Sequence, residues 1–257
     1  MEIAKLHSLF LNSQGVCTDT RNIHKESIYF ALKGARFNGN DFALQALEQG
    51  ASFAVVEDFT LEHPQLIQVK DVLKTLQELA AYHRRSLGIP IVAITGSNGK
   101  TTTTLLTYHV LKEAGLNVGL AGNIGKSFAW QVAENKHDIY VLELSSFQLD
   151  GVFNYKPNIA IITNISPDHL DRYNYDYSLY INSKFRITKN QTEADYLIYD
   201  NEDEAIKNWL KNNTIKANKV PFSLTTKPEA EGGFLDENNM NSTINNDTFT
   251  MPINELA

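Results

Sequence analysis

Residues 95–102 (TGSNGKTT) carry the strongest chemical signal in the sequence. They follow an apolar run and precede a helical pattern, a context in which backbone N–H groups converge on an anion. Lys100 would bring a positive charge to the terminal phosphates of a nucleotide, and the Thr101 hydroxyl could reach Mg²⁺. Although Ile94 stands where the standard pattern has glycine, the strand–loop–helix context favours a phosphate-binding loop over an incidental glycine turn. The residues predicted to contact the phosphates are Gly96, Ser97, Asn98, Gly99, Lys100, Thr101 and Thr102.

A second glycine turn and a carboxylate follow the next two apolar runs. Residues 122–125 (GNIG) form the turn, and a purely structural role stays open because a strand-to-helix turn needs glycine anyway. Glu143 interrupts the apolar run 139–144, and a buried charge is costly unless it is paired. We therefore predict that Glu143 either binds Mg²⁺ beside the phosphate loop or forms a structural ion pair.

A histidine and a lysine complete the set of candidate residues. His169 follows another apolar run and is flanked by Asp168 and Asp171, which could orient its imidazole toward a metal ion. Lys184 shares a stripe with two tyrosines in a helix predicted over residues 176–189. Spacing alone favours a solvated surface lysine at this position.

Apolar runs that alternate with helical patterns must position these side chains. In the second part of the chain the pattern predicts parallel βαβ units in a doubly wound sheet, in which ligands collect at the carboxyl ends of the strands. The predicted strands cover residues 89–95, 117–121, 139–144, 159–164 and 196–199. Leu105, Leu106, Val110 and Leu111 are expected to face inward from the helix after the phosphate loop. The stretch 212–257, rich in Asn and Thr, is either a peripheral hairpin or a tail.

The first part of the chain alternates short strands and helices as well. Three further strands are predicted, at residues 28–32, 53–56 and 66–69. Asp41 and Asp71 stand at N-cap positions, the second of them before a helix that ends at Gly88. The fold class is therefore α/β, with a small α/β N-terminal domain (1–88) followed by a doubly wound, mostly parallel P-loop sheet domain (89–257).

Composition excludes several classes of protein. The 257 residues fit one large domain or two unequal ones. A net charge of −7 argues against nucleic acid or anionic lipid as a partner. The single cysteine, Cys17, argues against a disulfide framework and fits a reducing compartment. Neither a secretory signal nor an apolar run of about 18 residues stands out, so we expect a cytoplasmic protein without membrane insertion.

Five motifs in a fixed order resemble the Mur ligases of peptidoglycan synthesis: TGSNGKTTT, GNIG, LELSSFQL, NISPDHLDRY and SKFRI. The resemblance covers residues 90–257 and implies the central ATPase domain of that family. The sequences of the motifs are most similar to those of the D-glutamate-adding branch. Such enzymes use ATP to phosphorylate a carboxylate of a UDP-N-acetylmuramoyl precursor. The amine of an amino acid or dipeptide then attacks the acyl phosphate. The resemblance implies a monomer with ATP and two Mg²⁺ ions.

The same resemblance assigns roles to individual residues. Lys100 and the amides around Gly99 would hold the β and γ phosphates, while Thr101 and Glu143 would bind one Mg²⁺ ion. His169 would help to bind the second. Lys184 matches a carbamylated lysine that acts as a metal ligand, which replaces the surface-lysine interpretation. The implied catalytic residues are Lys100, His169 and Lys184, and those near the muramoyl substrate are Asn123 and Ser145.

The N-terminal part resembles a different branch of the family. Residues 18–21 (TDTR), 28–34 (IYFALKG) and 37–42 (FNGNDF) are similar to the first domain of the D-Ala-D-Ala-adding branch. They imply a pocket for the UDP end of the precursor that contains Thr20, Arg21, Asn38 and Gly39, although a structural turn at 18–21 stays open. Two hypotheses follow, a chimera joined near Gly88 and D-Ala-D-Ala specificity as the alternative to D-glutamate.

The family pattern also implies a third domain after residue 257, which would complete the ATP site and bind the incoming amino acid. Without closure by that domain, water would not be excluded in the family's manner. A two-domain chain that binds nucleotide and precursor without turnover is therefore a further alternative to a competent ligase.

Overall fold

A computed structural model of the chain describes residues 2–35, 37–57, 63–134 and 137–255. The chain divides into two compact units, residues 1–88 and 89–257. Each unit is built on a mostly parallel sheet with helices, which confirms the predicted α/β class. Within the described ranges, no helix has the length and apolar character needed to span a bilayer.

The first unit is built on a four-stranded parallel sheet and a small hairpin. Its strands are β1 (Val16–Cys17), β2 (Ile28–Phe30), β3 (Lys33–Gly34), β4 (Phe37–Asn38), β5 (Phe53–Val56) and β6 (Leu66–Gln68). The sheet order is β1-β2-β5-β6, and β3 pairs antiparallel with β4. Successive side chains of a strand point to opposite faces, so Ile28 and Phe30 enter one apolar cluster and Tyr29 enters the other. Both faces of the sheet are thus covered.

The helices that the structure describes beside this sheet are α1 (Ile3–Leu11), α2 (Ala43–Glu48) and α3 (Val72–Leu87). The predicted ends of α3 are confirmed, because the Asp71 side chain accepts a hydrogen bond from Lys74 N–H and Gly88 ends the helix in the left-handed conformation at φ 63°. The prediction of Asp41 as an N-cap is wrong. The side chain of Asn38 instead caps a 3₁₀ turn, Gly39–Phe42, that leads into α2.

The second unit is built on one nine-stranded sheet of order β15-β14-β13-β12-β11-β10-β7-β9-β8. Its strands are β7 (Ile91–Thr95), β8 (Val118–Gly122), β9 (Ile139–Glu143), β10 (Ile159–Ile162), β11 (Tyr196–Asp200), β12 (Asn218–Ser223), β13 (Gly232–Leu235), β14 (Asn239–Ile244) and β15 (Asp247–Pro252). Strands β7 to β13 run parallel, whereas β13, β14 and β15 pair antiparallel. The hairpin interpretation of the C-terminal stretch is therefore correct for β13, β14 and β15, which extend the sheet, whereas the parallel strand β12 before them was not predicted.

Among the described residues of this unit, the helices are α4 (Lys100–Glu113), α5 (Phe128–Glu134), α6 (Ser146–Asp150), α7 (Tyr177–Phe185) and α8 (Glu204–Asn212). The predicted inward face of α4 is wrong for Leu105, Leu106 and Val110, which are exposed, whereas Leu111 packs against the core as predicted. Thr104 is buried instead, and Tyr108 packs against the apolar cluster formed by β7, β8 and β9.

Candidate phosphate-binding site

The loop between β7 and α4 has glycine at two positions that disfavour a side chain. A Cβ atom on Gly96 would collide with the hydroxyl of Thr163, and Gly96 has a φ of 158°. Gly99 adopts the left-handed conformation, with φ 73°, immediately before α4 begins. The glycine spacing of the motif therefore follows from close packing against the end of β10 and from the turn into the helix.

The segment after β10 supports this loop through backbone and side-chain hydrogen bonds. Ser97 N–H donates to the carbonyl of Asn164 at 2.9 Å, and Asn98 N–H donates to Asn164 Oδ1 at 2.9 Å. Ser97 Oγ accepts from Ser166 N–H and donates to the Ser166 carbonyl, both at 2.9 Å. Asn164 and Ser166 were not predicted as site residues. Their position at the end of β10, the parallel neighbour of β7, is the signal that could have found them.

The start of α4 supplies positive charge to the mouth of the loop. The first N–H groups of a helix have no partner within it, and the helix dipole is positive at this end. Lys100 begins α4, and its Nζ donates to the Ser97 carbonyl at 3.0 Å, so the ammonium group folds back over the loop. Thr102 is exposed in the first turn. This arrangement suits a phosphate group.

Glu143 is a buried carboxylate whose side chain has neutral hydrogen-bond partners. The residue is 1% exposed at the end of β9, in register with Ile94 of β7 and Gly122 of β8. Thr101 Oγ1 donates to its Oε2 at 2.8 Å, and Asn123 Nδ2 donates to its Oε1 at 2.9 Å. The ion pairs found within the described ranges do not include Glu143, so the structural ion-pair alternative is not realised there.

Lys184 lies beneath the loop and not on the surface. It is 2% exposed, and its Nζ donates to the Gly96 carbonyl at 2.8 Å. Burial, with the nearby charge of Lys100, lowers the pKa of Lys184 to about 7, although Asp168 acts in the opposite direction. Nζ lies 4.7 Å from the ring centre of Tyr180, whose hydroxyl is 3.0 Å from Ser97 Oγ. The surface-lysine interpretation from spacing alone is therefore wrong.

His169 lies at the exposed rim of this region. Its backbone is left-handed, with φ 51°, and it precedes a 3₁₀ turn over Leu170–Tyr173. Its Nε2 lies 3.5 Å from Asp168 Oδ2, and its ring centre lies 5.1 Å from that of Phe147. In the part of the chain that the structure describes, no three His, Cys, Asp or Glu side chains are grouped closely enough to hold a metal ion. Any metal ion here would need other oxygen donors in addition.

Ser145 has a clear structural role at the start of α6. Its Oγ accepts a hydrogen bond from Gln148 N–H at 3.3 Å, and Ser145 N–H donates to Gln148 Oε1 at 3.0 Å. These two contacts form a capping box, which accounts for the SSFQ part of the motif without a substrate. A substrate contact by Ser145 stays a prediction.

The candidate residues of the first unit lie in the connections at the carboxyl ends of its parallel strands. Thr20 and Arg21 follow β1, while Asn38 ends β4 and Gly39 comes directly after it. The β3–β4 hairpin follows β2, which pairs in parallel with β1. Arg21 forms an ion pair with Asp19 at 2.6 Å, and hydrogen bonds from Arg21 lower the pKa of Asp19 to about 2. This carboxyl edge is where ligands bind in parallel α/β sheets.

Gly39 packs closely against the end of β2. A Cβ atom on Gly39 would lie 2.6 Å from the Leu32 carbonyl oxygen, and the Gly39 carbonyl accepts a hydrogen bond from the Tyr29 hydroxyl at 3.1 Å. Asn38 caps the turn that follows. Both residues thus have local structural roles, and their contact with a nucleotide stays a prediction.

Family models match both units of the chain, and curated relatives match more than half of it. Residues 94–255 match the Mur ligase middle domain, and residues 12–84 match the Mur ligase family, catalytic domain. A UDP-N-acetylmuramoylalanine--D-glutamate ligase of Christiangramia forsetii is 57% identical over 169 residues, which are 66% of this chain and 38% of that protein. One of Bacteroides fragilis is 57% identical over 147 residues, 57% of this chain and 33% of that protein. The chain thus spans well under half the length of these relatives.

Solved structures share the fold at low sequence identity. The MurF ligase of Thermotoga maritima, solved in complex with ADP, matches with a TM-score of 0.64 and 22% sequence identity. This match covers 94% of the present chain and 58% of the MurF chain. A MurF of Acinetobacter baumannii has a TM-score of 0.62 and 22% identity, and covers 93% of this chain and 55% of its own. Because single ligase chains cover both units, these comparisons lend no support to the chimera hypothesis. With the middle-domain model matched over more than half of its length, the chain belongs to the Mur ligase family.

Proposed function

We propose that this chain is the nucleotide- and precursor-binding part of an ATP-dependent ligase that adds D-glutamate to UDP-N-acetylmuramoyl-L-alanine. The observation that carries the proposal is the glycine loop at the end of β7, with Lys100 above it and the buried Glu143 at the end of the neighbouring strand. Relatives that are 57% identical bear the name of that reaction. This support favours D-glutamate over the D-Ala-D-Ala alternative, which rests on motifs of the first unit alone.

The proposed reaction brings two anions together and requires little covalent chemistry from the protein. An oxygen of the precursor carboxylate attacks the γ-phosphorus of ATP, and ADP leaves. The amine nitrogen of D-glutamate then attacks the acyl carbon, and phosphate leaves as the amide forms. The loop amides and Lys100 would hold the phosphates and offset their charge, which is the main source of catalysis in phosphoryl transfer.

The donor set beside the loop fits Mg²⁺, which prefers oxygen ligands. Glu143 is a buried carboxylate with neutral partners, and the Thr101 hydroxyl already lies 2.8 Å from it. We assign these two residues to one ion, which when bound would neutralise phosphate charge. His169 and Lys184 are the proposed ligands of a second ion.

The environment of Lys184 supports its proposed carbamylation. Carbamate formation needs the neutral amine, which must attack carbon dioxide and lose a proton. With a pKa of about 7, a large share of the Lys184 amine is neutral at physiological pH, unlike that of a surface lysine. The product carries a negative charge and two oxygen donors, which suit a magnesium ion.

The remaining candidate residues complete the proposed substrate sites. Asn123, which donates to Glu143, and Ser145 would approach the muramoyl part of the precursor. The edge formed by Thr20, Arg21, Asn38 and Gly39 would take its UDP end.

Nucleotide titration tests the phosphate loop. Calorimetry with ATP and Mg²⁺ should show binding to the wild-type chain and a loss of roughly tenfold or more in affinity for Lys100→Ala, because charge-assisted contacts to phosphate disappear. Lys112→Ala, which changes an exposed lysine of the same helix, is the matched control and should bind as the wild type does. Equal affinities of the Lys100 variant and the wild type would contradict the proposed site.

A second candidate function is binding of nucleotide and precursor without turnover. It is favoured by the observation that the glycine loop, Lys100 and the buried Glu143 form a candidate nucleotide site within the second unit alone. Phosphate release and amide formation should be measured with ATP, Mg²⁺, UDP-N-acetylmuramoyl-L-alanine and D-glutamate. Amide product supports the ligase, whereas tight binding without product supports the binding module. If amide product forms with D-Ala-D-Ala and the precursor of the D-Ala-D-Ala-adding branch, but not with D-glutamate, the proposed D-glutamate specificity is overturned.

A further inference from the structure

Asp203 joins two parts of the second unit that are distant in sequence. Its Oδ1 accepts a hydrogen bond from Ile206 N–H at 3.0 Å, which caps the start of α8. Its Oδ2 accepts from Ile165 N–H at 2.7 Å, although the two residues are 38 positions apart. Capping explains the first contact, but a helix cap does not require the second.

Ile165 lies in the middle of the segment that supports the phosphate loop. Its neighbours Asn164 and Ser166 make the hydrogen bonds to Ser97 and Asn98 described above. A shift of the Ile165 backbone would therefore move the groups on both sides of it that hold the loop. The loop has its shape only as long as this segment stays in place.

Both backbone polar groups of Ile165 are held by side chains. The residue is 4% exposed, its N–H donates to Asp203, and its carbonyl accepts from the Tyr177 hydroxyl at 2.7 Å. Burial, together with the negative charge of Asp203, raises the pKa of Tyr177. A buried N–H that loses its acceptor is costly, and the charged acceptor makes this bond stronger than one between neutral groups.

We propose that Asp203 is a positioning residue for the nucleotide, which acts through Ile165 to set the shape of the phosphate loop. The proposal rests on the proposed function in one respect, that the ligand of the loop is ATP or ADP. Asp203 itself would touch neither the nucleotide nor the reacting atoms. Its contribution is the second carboxylate oxygen, the one that the helix does not use.

Two variants separate positioning from helix capping. Asp203→Ser keeps one side-chain oxygen, the hydroxyl, which can still cap the start of α8. The variant removes the second oxygen, which accepts the hydrogen bond from Ile165 N–H. Asn208→Gly weakens α8 at an exposed position through helix propensity, and leaves both contacts of Asp203 intact. If α8 mattered only as a helix, the glycine variant would have the larger effect.

The experiment combines ADP titration with hydrogen exchange of the free chain. We expect Asp203→Ser to bind ADP about tenfold more weakly, as expected for the loss of roughly one charge-assisted hydrogen bond. We also expect faster amide exchange over residues 95–99 and 163–168. Asn208→Gly should leave both readings at the wild-type level. Thermal unfolding confirms that each variant is folded.

Each result decides between the alternatives. Wild-type affinity and exchange in Asp203→Ser would overturn the positioning role, as would an equal loss of ADP binding in Asn208→Gly. If the wild type itself fails to bind ADP, the proposed function fails, but the exchange measurement still tests the link from Asp203 to the loop. Faster exchange confined to the Asp203 variant would then support that link alone.

Discussion

Replacing Lys184 with methionine should change the pH dependence of stability in the second unit. Lys184 is 2% exposed, and burial, with the charge of Lys100, lowers its pKa from 10.5 to about 7. Methionine keeps a long flexible side chain but has no charge at any pH. The wild type should therefore gain about 3 kcal/mol of stability relative to Lys184→Met between about pH 6 and pH 9.

The sign and size follow from proton linkage. Below pH 7 both the folded and the unfolded chain bind the proton of Lys184, so the pH has little effect through this group. Between a folded pKa of about 7 and an unfolded pKa of 10.5, only the unfolded chain binds it, so the free energy of unfolding rises with pH. The slope is about 1.4 kcal/mol per pH unit, and about two units of this window lie below pH 9.

Urea unfolding followed by tryptophan fluorescence measures this difference in the second unit. The two tryptophans of the chain, Trp130 and Trp209, both lie within residues 89–257. Solutions should be free of carbon dioxide, so that no carbamate forms on Lys184. Lys211→Met, which replaces an exposed lysine, is the matched control and should give a pH profile parallel to that of the wild type.

Parallel profiles for the wild type and Lys184→Met would refute the reasoning. They would mean that Lys184 keeps an ordinary pKa in the folded state, and hence that burial does not hold its amine neutral. The proposed carbamylation would then lose its physical basis. A profile in which the wild type loses stability as the pH rises would contradict the sign of the linkage itself.

Three further predictions follow from the same site and its surroundings. Gly96→Ala should abolish measurable ATP binding, because its Cβ would collide with Thr163, and Thr163→Ala in the same chain should restore part of that binding in calorimetry. In ¹³C NMR with labelled bicarbonate, the wild type should show a carbamate signal that Lys184→Met lacks; equal spectra would exclude carbamylation. Asp195 is 1% exposed, and although burial raises its pKa, hydrogen bonds from Lys156 and Thr192 give a net lowering. The charged carboxylate therefore stabilises the fold above its usual pKa, and this stabilisation is lost in acid. Asp195→Asn should lower the free energy of unfolding, measured in urea titrations, by about 2 kcal/mol near neutral pH and by less as the pH falls below about 4. A loss of stability that does not change with pH would contradict this.

Local sequence patterns were enough to predict most elements of both units. The predicted strand over residues 139–144 is observed as Ile139–Glu143, and the predicted helix between Asp71 and Gly88 begins and ends where its caps indicate. Side-chain periodicity, capping and glycine turns involve residues close in sequence, so they can be seen without a tertiary structure. The phosphate loop belongs to this class, since its strand, turn and helix are consecutive.

Contacts between distant residues could not be derived from such patterns. Spacing alone placed Lys184 on the surface, yet its amine reaches the carbonyl of Gly96, 88 positions away. The link from Asp203 to Ile165 likewise depends on α8 and the end of β10 meeting in space. The order of strands and the rotation of each helix decide these contacts through packing of the whole sheet. The sequence by itself determined a strand, a glycine loop and a helix in the pattern typical of a phosphate-binding site, whereas the tertiary structure decided which buried groups hold this loop in shape and how the pKa of Lys184 is shifted.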